Sequence, residues 1–220
     1  MTIKMTYFNI AGVAEKVRLA FVLGGVQFED HRIKFDEWAA MKPTTPYGQL
    51  PVLTTDKGAS IAQSDAMLRY AATLTPALAP GAKMLEIDEL LGLVGDFTRA
   101  WLPMIYLGMR PENYGYPPEF KGSEAQTALV KAMREKWIAE ELPRFCAYFE
   151  SWIAKSGGPF LCGPDVTIAD CALVPELRKY SAGFIDHVPT DCMEKYPKLT
   201  AYINAFLAIP AVKAYYDAKK

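Results

Sequence analysis

The sequence predicts an α/β segment followed by an all-helical bundle, and three observations carry that prediction. Strand-like and helix-like runs alternate through the first 75 residues, two prolines and a glycine punctuate residues 75–83 (TPALAPGAK), and no strand alternation returns beyond residue 84. Short alternating elements followed by long helices alone mark an α/β unit joined to an all-α unit. The composition shifts place the first unit at residues 1–75, a linker at 76–83 and the helical unit at 84–220.

Residues 3–8 (IKMTYF) mix β-branched and aromatic side chains and form the first strand. Residues 9–12 turn the chain. Residues 13–24 then carry apolar side chains at Val17, Ala20 and Phe21 against charges at Glu15, Lys16 and Arg18, which is a helical period stopped by Gly24-Gly25. Residues 26–33 (VQFEDHRI) alternate like a half-buried strand, completing a parallel strand–helix–strand unit. Residues 36–42 make a short helix closed by Pro43, with Trp38 and Lys42 four apart on one face. The helical unit reads as runs at 84–110, 122–155, 167–180 and 197–219; within it, Thr167 and Asp170 have capping-box spacing.

Residues 46–70 concentrate the chemistry. Tyr47-Gly48 turns the chain, Gln49-Leu50 enters an extended segment, and Pro51 stands at the head of the apolar pair Val52-Leu53. A proline cannot donate to a sheet ladder, so this position implies an edge or bend, with a cis bond as one form of it. Leu50 then keeps backbone groups free for an extended ligand. Asp56-Lys57-Gly58 signals a hairpin, residues 59–62 a short strand, and Gln63-Ser64-Asp65 a helix start whose free N–H groups suit a carboxylate. Read alone, Ser64 also fits a plain cap and Pro51 a plain strand end.

Composition narrows the classes. Hydrophobic residues make up 51% of the 220, charged residues 22%, and the net charge is −1, which leaves no footprint for nucleic acid or an anionic membrane. The four cysteines, Cys146, Cys162, Cys171 and Cys192, have no C-x-x-C spacing and no histidine set, so no metal site is expected. His31 and His187 fit structural positions. No apolar run approaches the roughly 20 residues that span a bilayer, and a cytoplasmic protein with reduced thiols is expected.

Thr6-Tyr7-Phe8-Asn9, the run from Phe28 to Ile33, Trp38, Gly48-Gln49-Leu50-Pro51, Gln63-Ser64, the Thr167–Asp170 box and Ile209-Pro210-Ala211-Val212 occur together in one order. On these residues the whole chain resembles the cytosolic glutathione transferases, most closely the sigma-like branch that includes haematopoietic prostaglandin D synthase. Tyr47-Gly48-Gln49-Leu50-Pro51 adds a likeness to the pi class. The resemblance implies a thioredoxin-like first domain, a helical second domain, a homodimer, and glutathione as co-substrate for small hydrophobic electrophiles or peroxides.

It also implies roles residue by residue. Tyr7, which alone would fit a core tyrosine, becomes the phenol that stabilises the glutathione thiolate. Leu50 and Pro51, with Gln49, hold the cysteinyl unit; Gln63 and Ser64 take the γ-glutamyl carboxylate; Trp38 and Lys42 take the glycyl carboxylate. Asp96 of a second copy reaches the γ-glutamyl amine, and Tyr47 meets a pocket of the neighbouring subunit or merely covers its own turn. Phe8, Val13, Thr98 and Trp101 border the electrophile pocket, although an aromatic on a helix is more often core than pocket wall.

Three departures from the family pattern matter. Val13 stands where sigma-type enzymes carry an arginine. Gly92 and Gly95 replace the acids that gather a divalent ion in the prostaglandin synthase, and Pro103 replaces a tryptophan of its pocket. Prostaglandin isomerisation and metal dependence are therefore not expected. The loss at Val13 keeps open a non-catalytic binder or crystallin-like protein on the same fold.

Overall fold

The computed structural model describes residues 2–219. Strand β1 (Ile3–Phe8) lies between β2 (Phe28–Ile33), to which it runs parallel, and β3 (Val52–Thr54), to which it runs antiparallel; β4 (Ser60–Ala62) pairs antiparallel with β3, giving the order β2-β1-β3-β4. Ile3, Met5 and Tyr7 alternate onto one buried face of β1, as a period of two requires. Helices α1 (Glu15–Leu23) and α3 (Ser64–Leu74) pack together, burying Val17, Ala20 and Phe21 from one and Met67, Leu68 and Ala71 from the other. Helix α2 (Trp38–Met41) is one turn, continued by a tighter turn at Lys42–Thr44 where Pro43 interrupts the pattern. This is a four-stranded thioredoxin-like domain.

The connection is more ordered than its composition predicts. Two 3₁₀ turns, Pro76–Leu78 and Gly81–Lys83, occupy it, and Leu78 is buried. Helix α4 (Met84–Met109) follows, then α5 (Glu124–Lys136), α6 (Leu142–Ser156), α7 (Ile168–Arg178), α8 (Pro197–Ala208) and α9 (Pro210–Asp217). The single run predicted over 122–155 is α5 and α6 joined by a π turn at Trp137–Glu141. Pro143 has no N–H for the Ala139 carbonyl four residues back, and the chain widens just before it. The run predicted over 197–219 breaks at Ile209, which is extended (φ −58°, ψ 125°) because Pro210 follows it.

The helical core is aromatic. Phe97 packs against Trp137, Phe145, Phe149 and Tyr180 with ring centroids 5.2–5.9 Å apart. Helix α7 ties the halves together, packing on α1, α3 and α4. Its start is the expected capping box: Asp170, fully buried, accepts from the Thr167 N–H (2.7 Å) and hydroxyl (2.9 Å), the Leu161 N–H (3.0 Å) and the Tyr202 hydroxyl (3.0 Å). Among the described residues no helix is long and apolar enough to cross a membrane.

Candidate active site

Strand β1 ends at Phe8, and the turn after it is built around the Tyr7 phenol. Tyr7 is 8% exposed. Gly12 adopts φ +46°, and a Cβ on it would lie 2.6 Å from Tyr7 Oη and 2.8 Å from Cε1, so only glycine admits the ring at this distance. Burial pushes the phenol above its ordinary value of 10.0; the backbone N–H of Val13 and the Arg18 guanidinium pull it down, while Tyr106 and Glu176 push it up. The phenol is thus protonated at neutral pH and able to donate.

Arg18 holds this turn from behind. Its side chain is wholly buried; Nη1 donates to the carbonyls of Ile10 (2.9 Å) and Ala11 (3.1 Å) and to Glu15 Oε2 (3.1 Å), and Nε to Asp30 Oδ1 (2.9 Å). The guanidinium carbon lies 5.8 Å from the Tyr7 ring centroid.

The edge beside β3 has the form the proline implied. The Leu50–Pro51 peptide is cis, and no hydrogen bond joins the Leu50 backbone to another group among the described residues. Gln63, at φ +72°, precedes α3, and its amide approaches Gln49 Oε1 at 3.4 Å. Ser64 is the first helical residue, and the N-cap Gln63 makes no side-chain cap bond, so the helix N–H groups there have no side-chain partner from Gln63. Trp38 is half-buried with its ring edge on Phe8 (5.8 Å, 78°), and the Lys42 stem passes Gly48, 3.4 Å from where a Cβ would sit.

The expected electrophile wall divides. Phe8 stacks on Phe35 (4.6 Å, 20°) and meets Tyr7 edge-on (5.6 Å), and Val13 lies in the turn beside the phenol. Thr98 gives its hydroxyl to the Val94 carbonyl of its own helix. Trp101 is 1% exposed, with its ring against Trp137 and Tyr180, so it belongs to the helical core and not to an open wall. Packing on these two aromatic neighbours holds the ring inside the helical core. Asp96 is well exposed on α4 and pairs with Arg99 of the same helix; Tyr47 is 77% exposed at φ +58°.

Sequence reading missed Gly12, Phe35, Tyr106, Glu176 and Arg18. Tyr106 on α4 and Glu176 on α7 bear electrostatically on Tyr7 from the other domain, and Glu176 is tied to Lys179. Only the Glu15–Arg18 spacing carried any signal, as a possible helical ion pair. All four cysteines are free and buried, with Cys146 pushed up to about 12 and Cys162 to about 11 by burial, so none is a ready thiolate. No group of three or more metal-ligating side chains occurs among the described residues.

A thioredoxin-like sheet with a cis-proline edge stands beside a helical domain, and the buried phenol lies at the end of β1. Residues 3–73 match the glutathione S-transferase N-terminal domain family and residues 120–219 the C-terminal domain family. The chain is 32% identical to glutathione S-transferase 1 of Ascaris suum over 212 residues, covering 96% of this chain and 93% of that one. Its fold superposes on the prostaglandin synthase D of Nilaparvata lugens (TM-score 0.81, 27% identity, 100% and 99% covered) and on the Pi-class glutathione S-transferase of Onchocerca volvulus (0.79, 28%, 100% and 94%). The chain belongs to the glutathione S-transferase family.

Proposed function

We propose that this glutathione transferase activates its co-substrate through Tyr7. The phenol donates a hydrogen bond to the glutathione sulfur and stabilises the thiolate over the thiol, whose solution pKa lies near the ~8.5 of cysteine. The thiolate attacks an electrophilic carbon of a small apolar substrate; the C–S bond forms, a leaving group departs with its electron pair, and the thiol proton goes to solvent. The observation that carries this reading is the Tyr7 phenol, kept protonated by burial and seated on Gly12 at the end of β1.

The tripeptide lies along the Leu50–Pro51 edge, with Leu50 exchanging backbone hydrogen bonds with the cysteinyl unit as a strand partner would. Gln49 flanks it. Gln63, Ser64 and the start of α3 receive the γ-glutamyl carboxylate, and Trp38 and Lys42 the glycyl carboxylate. Asp96 of a second copy takes the γ-glutamyl amine, so the working unit is a homodimer, and Tyr47 is its exposed aromatic contact. Phe8, Phe35, Val13 and Tyr106 are the wall that favours apolar electrophiles, with Thr98 at its margin. The physiological role that fits is detoxification in the cytoplasm, including reduction of peroxides by the same thiolate.

The Tyr7→Phe variant tests this. Turnover of a chlorinated aromatic is expected to fall about 10² to 10³-fold, the range for losing a donor to a developing anion, with glutathione affinity within about twofold. Unchanged turnover excludes Tyr7 from the reaction.

A further inference from the structure

The turn that carries the phenol, residues 9–14 (NIAGVA), has no cationic side chain of its own. A charge is nonetheless present behind it. Arg18 is wholly buried, its guanidinium carbon is 5.8 Å from the Tyr7 ring centroid, and its Nη1 spans the two carbonyls, of Ile10 and Ala11, that immediately precede Gly12. Nη2 is buried and has no hydrogen-bond partner among the described residues. We propose that Arg18 is a positioning residue for Tyr7, fixing the Gly12–Val13 turn against the phenol and supplying from behind the ring the positive charge that the turn itself lacks.

The surrounding charges support this. Arg18 pairs with Glu15 and Asp30; Asp30 also holds Arg32 (2.8 Å), and Lys219 lies 3.4 Å from Glu15. Among the described residues, Arg18, Arg32 and Lys219 gather around Glu15 and Asp30; Tyr215 lies against Glu15 and Arg18 from α9, and Glu176, paired with Lys179, bears on Tyr7 from α7. Arg18 is the cation that acts on Tyr7, the residue proposed to hydrogen-bond the sulfur anion. In a buried setting such a charge is weakly screened and favours the anionic partner of a proton equilibrium. Arginine suits the place because its fixed fork meets two carbonyls and two carboxylates at once, and lysine cannot. Glu15 pairs with Arg18 directly and carries the opposite charge, so removing it leaves the guanidinium less compensated.

The role rests on Tyr7 serving the sulfur as proposed above. Its test measures the pKa of enzyme-bound glutathione by thiolate ultraviolet absorbance, alongside kcat and KM across pH, in the wild type, Arg18→Met, Arg18→Lys and Glu15→Gln. Arg18→Met is expected to raise the bound thiol by about one unit, lowering kcat/KM about tenfold at acid pH with convergence on the wild type at alkaline pH. Arg18→Lys recovers part of that shift, and KM for glutathione stays within about twofold. Glu15→Gln shifts the thiol the other way, downward, which keeps the role testable should Arg18→Met fail to fold. An unmoved thiol pKa in these variants, or an equal loss of kcat/KM at every pH, makes Arg18 merely structural and overturns the proposal. A wild type without a thiolate band overturns the Tyr7 reading itself, and this role with it; a band that persists in the wild type but ignores Arg18 overturns this role alone.

Discussion

At the scale of the residue, a phenol that must donate at neutral pH has to stay protonated, and burial does this for Tyr7. Because its pKa is raised above 10.0, the proton is retained through the whole range in which glutathione ionises. The pH profile of kcat/KM is therefore expected to rise on an acid limb set by the bound thiol and to show no falling limb below about pH 10. A decline beginning near pH 8 contradicts a protonated donor. Gly12 is the second residue-scale constraint. A methyl group there meets the phenol oxygen at 2.6 Å, so Gly12→Ala displaces the ring, and kcat is expected to fall by at least about tenfold with little change in glutathione KM. Of these, Tyr7 was legible through the resemblance of its surrounding motif. Gly12 reads only as a turn, because its proximity to Tyr7 is a distance in space between residues five apart in sequence.

At the scale of the element, periodicity and punctuation located the four strands and the helical runs, since both come from local sterics and burial. Helix interruptions were less legible. Pro143 and Pro210 are visible in the sequence, yet one widens a continuous rod into a π turn and the other splits α8 from α9. Tertiary packing decides between those outcomes. The Thr167–Asp170 box was legible, but its reach was not: Asp170 also accepts from Leu161 and from Tyr202, 32 residues away. Replacing Asp170 by alanine strands these donors in a buried site and is expected to cost about 3–5 kcal/mol, measured by equilibrium denaturation. A loss below about 1 kcal/mol contradicts a load shared by four hydrogen bonds.

At the scale of the whole molecule, α7 packs on both α1 and α4 and so brings Glu176 and Tyr106 toward a strand end encoded far earlier in the chain. No sequence period encodes that meeting; helical spacing leaves open which face Trp101 takes, and the structure buries it. The proposed homodimer belongs to the same scale. Tyr47 exposes an aromatic ring that a single chain leaves in water, and Tyr47→Ala is expected to shift sedimentation toward monomer at micromolar concentration, with activity falling in parallel as Asp96 is lost from the neighbouring site. An unchanged dimer, or a fully active monomer, contradicts the shared site. Stabilisation of a sulfur anion by the buried phenol is tested most directly by the thiolate absorbance of glutathione bound to the wild type and to Tyr7→Phe at neutral pH. A band in the wild type that is lost in the variant at equal glutathione occupancy is the predicted result; equal bands in both, or none in either, contradict it.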